Sequence, residues 1–144
     1  MSRSLAATLA GAALLGGLAC SDSVAPAEVV GTWNATSVVF TSVASPSTNS
    51  GNLILQGFSL SITFGADGSA SLTSDDGSGP STDTGTFAIS GSNLTLTLNG
   101  DTSTGTIELN GDTLTVRIIT GAEFDFNGDG TDEVATVVVV LTRA

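Results

Sequence analysis

A group of oxygen-bearing side chains near the C-terminal end is the part of the sequence with the clearest potential for chemistry. Within Asp125–Glu133, Asp or Asn stands at the first, third and fifth positions, glycine at the sixth and glutamate at the ninth. Alternate side chains in such a loop can converge on one ion, and the glycine permits the turn, which suits Ca²⁺. The expected ligands are the side chains of Asp125, Asn127, Asp129 and Glu133 and the carbonyl of Thr131. A hairpin loop that is simply rich in turn-forming residues is the alternative.

The residue types that the chain lacks exclude several classes of enzyme. The sequence contains no His, Lys or Tyr, and its only cysteine is Cys20. This removes Ser-His-Asp and Cys-His catalysis, Schiff-base chemistry and the usual zinc ligands. A carboxylate pair could still act on a sugar, but no pair of acids is expected to point inward from the strands. We therefore expect no enzyme.

The charge of the chain limits its partners. It carries 14 acidic and 3 basic residues, with a net charge of −11. Such a chain repels phosphate backbones and anionic lipid surfaces, so we expect no nucleic-acid partner.

The N-terminal segment has the pattern of an export signal. Met1–Ala19 contains Arg3 and then a short apolar run, too short to span a bilayer stably, and Cys20 follows it directly. This resembles the bacterial lipoprotein signal, although Gly17 stands where that signal usually has Leu. The resemblance implies removal of residues 1–19 and lipidation of Cys20. An ordinary secretory signal followed by an incidental thiol is the alternative.

The residues after the cysteine look like a tether. Ser21–Val30 contains small residues, Pro26 and two acids. We therefore expect residues 20–30 to link the lipid to a domain at 31–144. The retention signal of inner-membrane lipoproteins is not matched, so the resemblance implies an outer-membrane anchor, with the membrane face left open. The lipid would be the only contact with the membrane.

The run Gly85–Ile118 is the clearest structural signal in the chain. Apolar residues alternate with hydroxyl or charged residues over four short segments, which is the period of strands with one buried face. Asn-Gly pairs separate the last three segments, and Asn-Gly is the strongest short hairpin signal. The pattern predicts a four-stranded β-meander.

Further alternating segments extend this meander to eight strands. The expected strands are Asn34–Val43, Leu53–Phe64, Ser69–Thr73, the four of Gly85–Ile118, and Val134–Thr142, with Ser74–Thr84 as a solvated loop. The last strand is apolar on both faces, so it would be an aggregation hazard as an open edge. We therefore predict an all-β, eight-stranded antiparallel up-and-down barrel. A β-sandwich is the alternative.

Two residues at the ends of this region carry a family resemblance. Gly31 and Trp33 form a Gly-x-Trp at the start of the first strand, and Arg143 lies near the end of the last. This combination resembles lipocalin-like proteins, in which such a basic residue packs over the tryptophan where the barrel closes. The resemblance implies a barrel that binds a small hydrophobic molecule.

The inward residues of the predicted strands would line that binding site. The expected cavity residues are Phe58, Leu60, Ile62, Phe64, Phe87, Ile89, Leu96, Leu109 and Val116. None of them is polar enough to orient a ligand head group. The alternative is a structural domain with a filled interior, stabilised by calcium, that recognises another envelope protein. In either case we expect a monomer.

Overall fold

The computed structural model describes residues 23–144. The predicted signal segment 1–19 and the lipidation site Cys20 lie outside the described residues. One short helix precedes eight strands: α1 (Pro26–Val29), β1 (Gly31–Ser42), β2 (Ser59–Phe64), β3 (Ser69–Asp75), β4 (Ser81–Ser90), β5 (Asn93–Leu98), β6 (Asp101–Asn110), β7 (Thr113–Phe124) and β8 (Glu133–Arg143). Within the described residues, no helix is long and apolar enough to cross a membrane.

The eight strands form a closed barrel in which each strand pairs antiparallel with the next and β8 pairs with β1. This confirms the up-and-down barrel and excludes the sandwich. Closure also explains the apolar sequence of β8, because both of its edges are hydrogen-bonded, to β1 and to β7. The open edge that would have promoted aggregation is therefore absent from the described chain.

The two ends of the barrel differ. The β2–β3, β4–β5 and β6–β7 turns lie at one end together with α1, and we call this the closed end. The β1–β2, β3–β4, β5–β6 and β7–β8 loops lie at the other, which we call the open end. Large buried side chains dominate the interior: Val29, Trp33, Phe64, Leu94, Ile107, Leu114 and Leu141.

The β1–β2 and β3–β4 connections differ from the sequence prediction. Leu53–Gln56, predicted as the start of a strand, is a 3₁₀ helix, and β2 begins only at Ser59. The Asn52 side chain accepts hydrogen bonds from the N–H groups of Ile54 and Val38, which caps this helix against β1. The predicted solvated loop Ser74–Thr84 is shorter than expected, since β3 ends at Asp75 and β4 begins at Ser81.

The residues before β1 pack against the barrel. Val24 is 6% exposed and Val29 is fully buried. The backbone N–H of Val24 also donates to the carbonyl of Gly91, in the β4–β5 turn. The packed unit therefore begins before Gly31, and the part of the expected tether from Val24 onward belongs to the domain.

Trp33 of β1 and Arg143 of β8 connect the N-terminal and C-terminal parts of the domain at the closed end of the barrel. The Arg143 guanidinium lies 4.2 Å from the centre of the Trp33 ring, and the indole N–H donates to the carbonyl of Val29 at 2.8 Å. Arg143 also donates to the carbonyls of Glu28 and Val30 and forms an ion pair with Asp112 at 3.4 Å. Because cation–π contacts and charge-assisted hydrogen bonds act together here, this cluster fixes α1 across the closed end.

Candidate functional site

A cavity of about 390 Å³ occupies the interior of the barrel and extends toward the open end. Its walls are mainly apolar, and most of them come from side chains that alternate inward along the strands. The lining residues are Val38, Phe40, Phe58, Leu60, Ile62, Leu72, Ser74, Asp83, Leu96, Leu98, Ser103, Val116, Ile118, Gly121, Ala122, Glu123, Val137, Val139 and Leu141. The barrel is thus hollow in one half.

The structure places the predicted cavity residues in two groups. Phe58, Leu60, Ile62, Leu96 and Val116 line the cavity, whereas Phe64, Phe87, Ile89 and Leu109 do not. The reason is their position along the barrel. The second group lies toward the closed end, where the Phe64 and Phe87 rings pack edge to face at 4.7 Å and fill the interior.

A second depression, of about 570 Å³, lies at the closed end between α1, the β2–β3 turn and the last residues of β4. It is larger, but turn backbone forms much of its border. Side chains from all eight strands line the barrel cavity, with apolar walls and a few polar groups, so it is the better candidate for a binding site.

The expectation that no inward residue could orient a head group was wrong. Asp83 pairs with Leu72 across β3 and β4, so both side chains point to the same face, and both line the cavity. Ser74 and Ser103 line it as well. The sequence did contain an indication for Asp83. It lies four residues before Phe87, so both side chains point to the same face of β4, which begins at Ser81.

The predicted calcium loop lies at the open end, between β7 and β8. Carboxylate oxygens of Asp125, Asp129 and Glu133 lie within 4.8 Å of one another. Asn127 donates through its side-chain amide to Glu133 at 2.9 Å. Thr131 contacts the group through its backbone N–H, which donates to Asp129 at 2.8 Å. The loop thus brings the five residues into one hydrogen-bonded network.

Backbone hydrogen bonds stabilise the charge of Asp125. Its carboxylate accepts from the N–H groups of Gly130 at 2.8 Å, Gly128 at 2.7 Å and Asp129 at 3.3 Å. These hydrogen bonds hold the pKa of Asp125 below its ordinary value, and the bond from Gly130 has the largest effect. Asp125 is therefore ionised at neutral pH, and a cation bound here would share its oxygens with the loop backbone.

The family of the chain follows from its sequence and its fold together. A family model described as a lipocalin-like domain matches residues 29–116. The match includes Trp33 and most of the closed barrel. The chain belongs to the lipocalin-like family. Among curated proteins, none matches it.

Membership in the family relates the cavity to a known kind of binding site. Lipocalin-like domains bind small hydrophobic ligands in their barrels, and they are generally binding proteins without catalytic activity. The hollow half of this lipocalin-like barrel is the part that corresponds to such a function.

Proposed function

We propose that this lipocalin-like domain binds a small hydrophobic molecule inside the barrel, at the open end. The observation that carries the proposal is the apolar cavity of about 390 Å³. Pockets for small molecules typically measure about 300–1,000 Å³, and they combine apolar walls with a few polar groups. The cavity meets both conditions.

The cavity walls supply the affinity that this function requires. Phe40 and Phe58 present aromatic rings, and aliphatic side chains of β1, β2, β3, β5, β7 and β8 form most of the remaining lining. Each Å² of apolar ligand surface removed from water contributes about 25 cal/mol. A molecule that is apolar over most of its length therefore suits the cavity better than a sugar or a nucleotide.

The proposal includes a lipid anchor at Cys20 in the outer membrane of a bacterial envelope. Only Ser21–Ser23 separate this cysteine from the buried Val24, and three extended residues reach about 10 Å. Val24 lies at the closed end, bonded to Gly91. The closed end would then face the membrane, and the open end would face away from it and exchange ligand with the aqueous space.

Mass spectra of the protein purified from an envelope extract test the ligand and the anchor together. In denaturing spectra, we expect a chain that begins at Cys20 and exceeds its sequence mass by a covalent lipid. In native spectra, we expect a further organic mass that is lost on denaturation. The lipid reports on the anchor alone, and the released molecule reports on the cavity.

Two results would count against these proposals. A native mass equal to the denatured mass, found also after incubation with apolar small molecules, would reject the ligand-binding function. A mature chain with an unmodified Cys20 would reject the anchor without affecting the cavity.

The second candidate function is a structural or protein-interaction domain stabilised by calcium. The three carboxylates within 4.8 Å of one another in the β7–β8 loop favour it. Asp125, Asp129 and Glu133 would supply carboxylate oxygens, Asn127 its amide oxygen and Thr131 its carbonyl. A bound ion would offset the repulsion between these acids.

Thermal unfolding with and without calcium tests this candidate. At a calcium concentration about a hundred times Kd, binding stabilises the folded state by about 2.7 kcal/mol. We expect Tm to rise by about 10 °C in the wild type. Asp129→Ala should abolish the rise, because it removes one of the three clustered carboxylates. Asp132→Ala, which removes an acid outside that cluster, should retain it. If the Tm of the wild type does not change with calcium, the calcium-stabilised function is rejected.

A further inference from the structure

Asp83 is a charged residue on the wall of an otherwise mainly apolar cavity, and the fold alone does not require a charge there. It is partly buried, it lines the cavity, and it lies two residues from the start of β4, near the open end. Glu123 also lines the cavity near this end but is exposed, and Ser74 on the neighbouring strand is uncharged. A carboxylate on the inner wall of an apolar cavity loses part of its hydration, so it needs a compensating partner.

Asn99 provides only part of this compensation. Its side-chain amide donates to Oδ1 of Asp83 at 2.5 Å. Asn99 is itself fixed, because its backbone N–H donates to the carbonyl of Thr84 at 2.9 Å. The second oxygen of Asp83, Oδ2, accepts no hydrogen bond from any residue between Ser23 and Ala144. Asp83 is therefore held in place, with one oxygen available to a ligand.

The charge around the cavity opening has one sign. Of the 13 acidic residues among residues 23–144, nine lie at the open end: Asp75, Asp76, Asp83, Asp101, Glu123, Asp125, Asp129, Asp132 and Glu133. The two arginines of the described range lie elsewhere. Arg117 is exposed on the outer face of β7, and Arg143 is at the closed end. The opening thus attracts cations and repels anions.

We propose that the ligand is a cationic amphiphile, whose protonated amine pairs with Asp83 near the open end while its apolar tail fills the barrel cavity. This inference rests on the proposed ligand-binding function and adds the chemical class of the ligand. Fatty acids and other anionic lipids are disfavoured, because their carboxylate would meet Asp83 and the surrounding acids without a cation to pair with. A neutral alcohol of the same length would gain the apolar contacts and lose the ion pair.

Calorimetric titration with three probes of equal chain length separates these contributions. Decylamine, decanol and decanoate share a tail and differ in head-group charge, and all are used in calcium-free buffer. We expect decylamine to bind at least about tenfold more tightly than decanol, because a charge-assisted hydrogen bond is added. Decanoate should bind most weakly. Added salt should reduce the preference for the amine.

Variants identify Asp83 as the source of the preference. Asp83→Asn keeps the shape of the side chain and an oxygen for the Asn99 amide, and it removes the charge. We expect it to weaken decylamine binding about tenfold and to leave decanol binding unchanged, which also shows that the cavity remains intact. Asp132→Asn removes the same charge from the same end without touching the cavity lining, and it should change decylamine affinity less than about twofold.

The outcomes distinguish this inference from the function on which it rests. Binding of decanol and decanoate at least as tightly as decylamine would overturn the cationic ligand and leave an apolar-ligand protein. An equal loss in Asp83→Asn and Asp132→Asn would show a general field effect and reject the pairing with Asp83. If none of the three probes binds, the ligand-binding function fails as well.

Discussion

Leu94→Asp is expected to prevent stable folding. Leu94 lies on the inner face of β5 and is 1% exposed, opposite Ile89 of β4. The substitution removes apolar contacts, which costs about 2–5 kcal/mol, and it leaves a carboxylate without a partner in the filled half of the barrel. The sum approaches the whole free energy of unfolding of a domain of this size, about 5–15 kcal/mol. Trp33 fluorescence during urea unfolding measures the loss.

Thr95→Asp is the matched control. Thr95 is the next residue along β5 and is exposed on the outer face of the barrel. It receives the same new side chain in the same strand, so only the face differs. We expect a change of about 1 kcal/mol or less, since Asp is a poor strand residue but stays hydrated there. Similar losses in the two variants would contradict the register of β5 with its neighbours.

The meander was predictable because local and global preferences agree there. Leu94, Leu96 and Leu98 alternate with threonines, and Asn-Gly turns fix the hairpins on either side of β6. Each strand pairs with its neighbour in sequence, so no long-range choice is needed. Closure required a further argument, and the apolar outer face of β8 supplied it.

The segments that the sequence did not predict correctly depend on contacts from distant residues. Leu53–Gln56 forms a 3₁₀ helix because Asn52 bonds to β1, which no local pattern indicates. The segment before Gly31 was predicted as a tether, yet Val24 and Val29 are buried by the closed end of the barrel. Burial of this kind becomes visible only when the whole barrel is assembled.

The cavity was unpredictable for a similar reason. Whether a barrel is filled depends on the summed volume of side chains from all eight strands. Phe64, Phe87 and Trp33 fill the closed half, whereas Ala122 and Ser103 leave space near the open end. Asp83 was missed because it belongs to the segment Ser74–Thr84 that was expected to be a solvated loop, whereas β4 begins at Ser81. A charged residue at an inward strand position breaks the local pattern, and such breaks are expected at functional sites.

Gly105→Ala is expected to destabilise the barrel by at least about 3 kcal/mol, at the upper end of the range for overpacking. Gly105 is buried in β6, at a register shift opposite β7. A Cβ placed there would lie 1.8 Å from the carbonyl oxygen of Arg117, which is backbone and cannot rotate away. The two strands must therefore separate. Thermal unfolding should show a Tm lower by about 12 °C.

Gly77→Ala separates this steric effect from the general cost of replacing a glycine. Gly77 lies in the β3–β4 loop with φ of 98°, and a Cβ there would have no atom within 4 Å. Its cost is the left-handed backbone conformation alone, about 1–2 kcal/mol. If Gly105→Ala costs no more than Gly77→Ala, β6 and β7 do not approach as closely at Gly105 as described. If the larger loss is found, the close contact of these two strands at Gly105 is a condition of closure, and so of the cavity that the closed barrel surrounds.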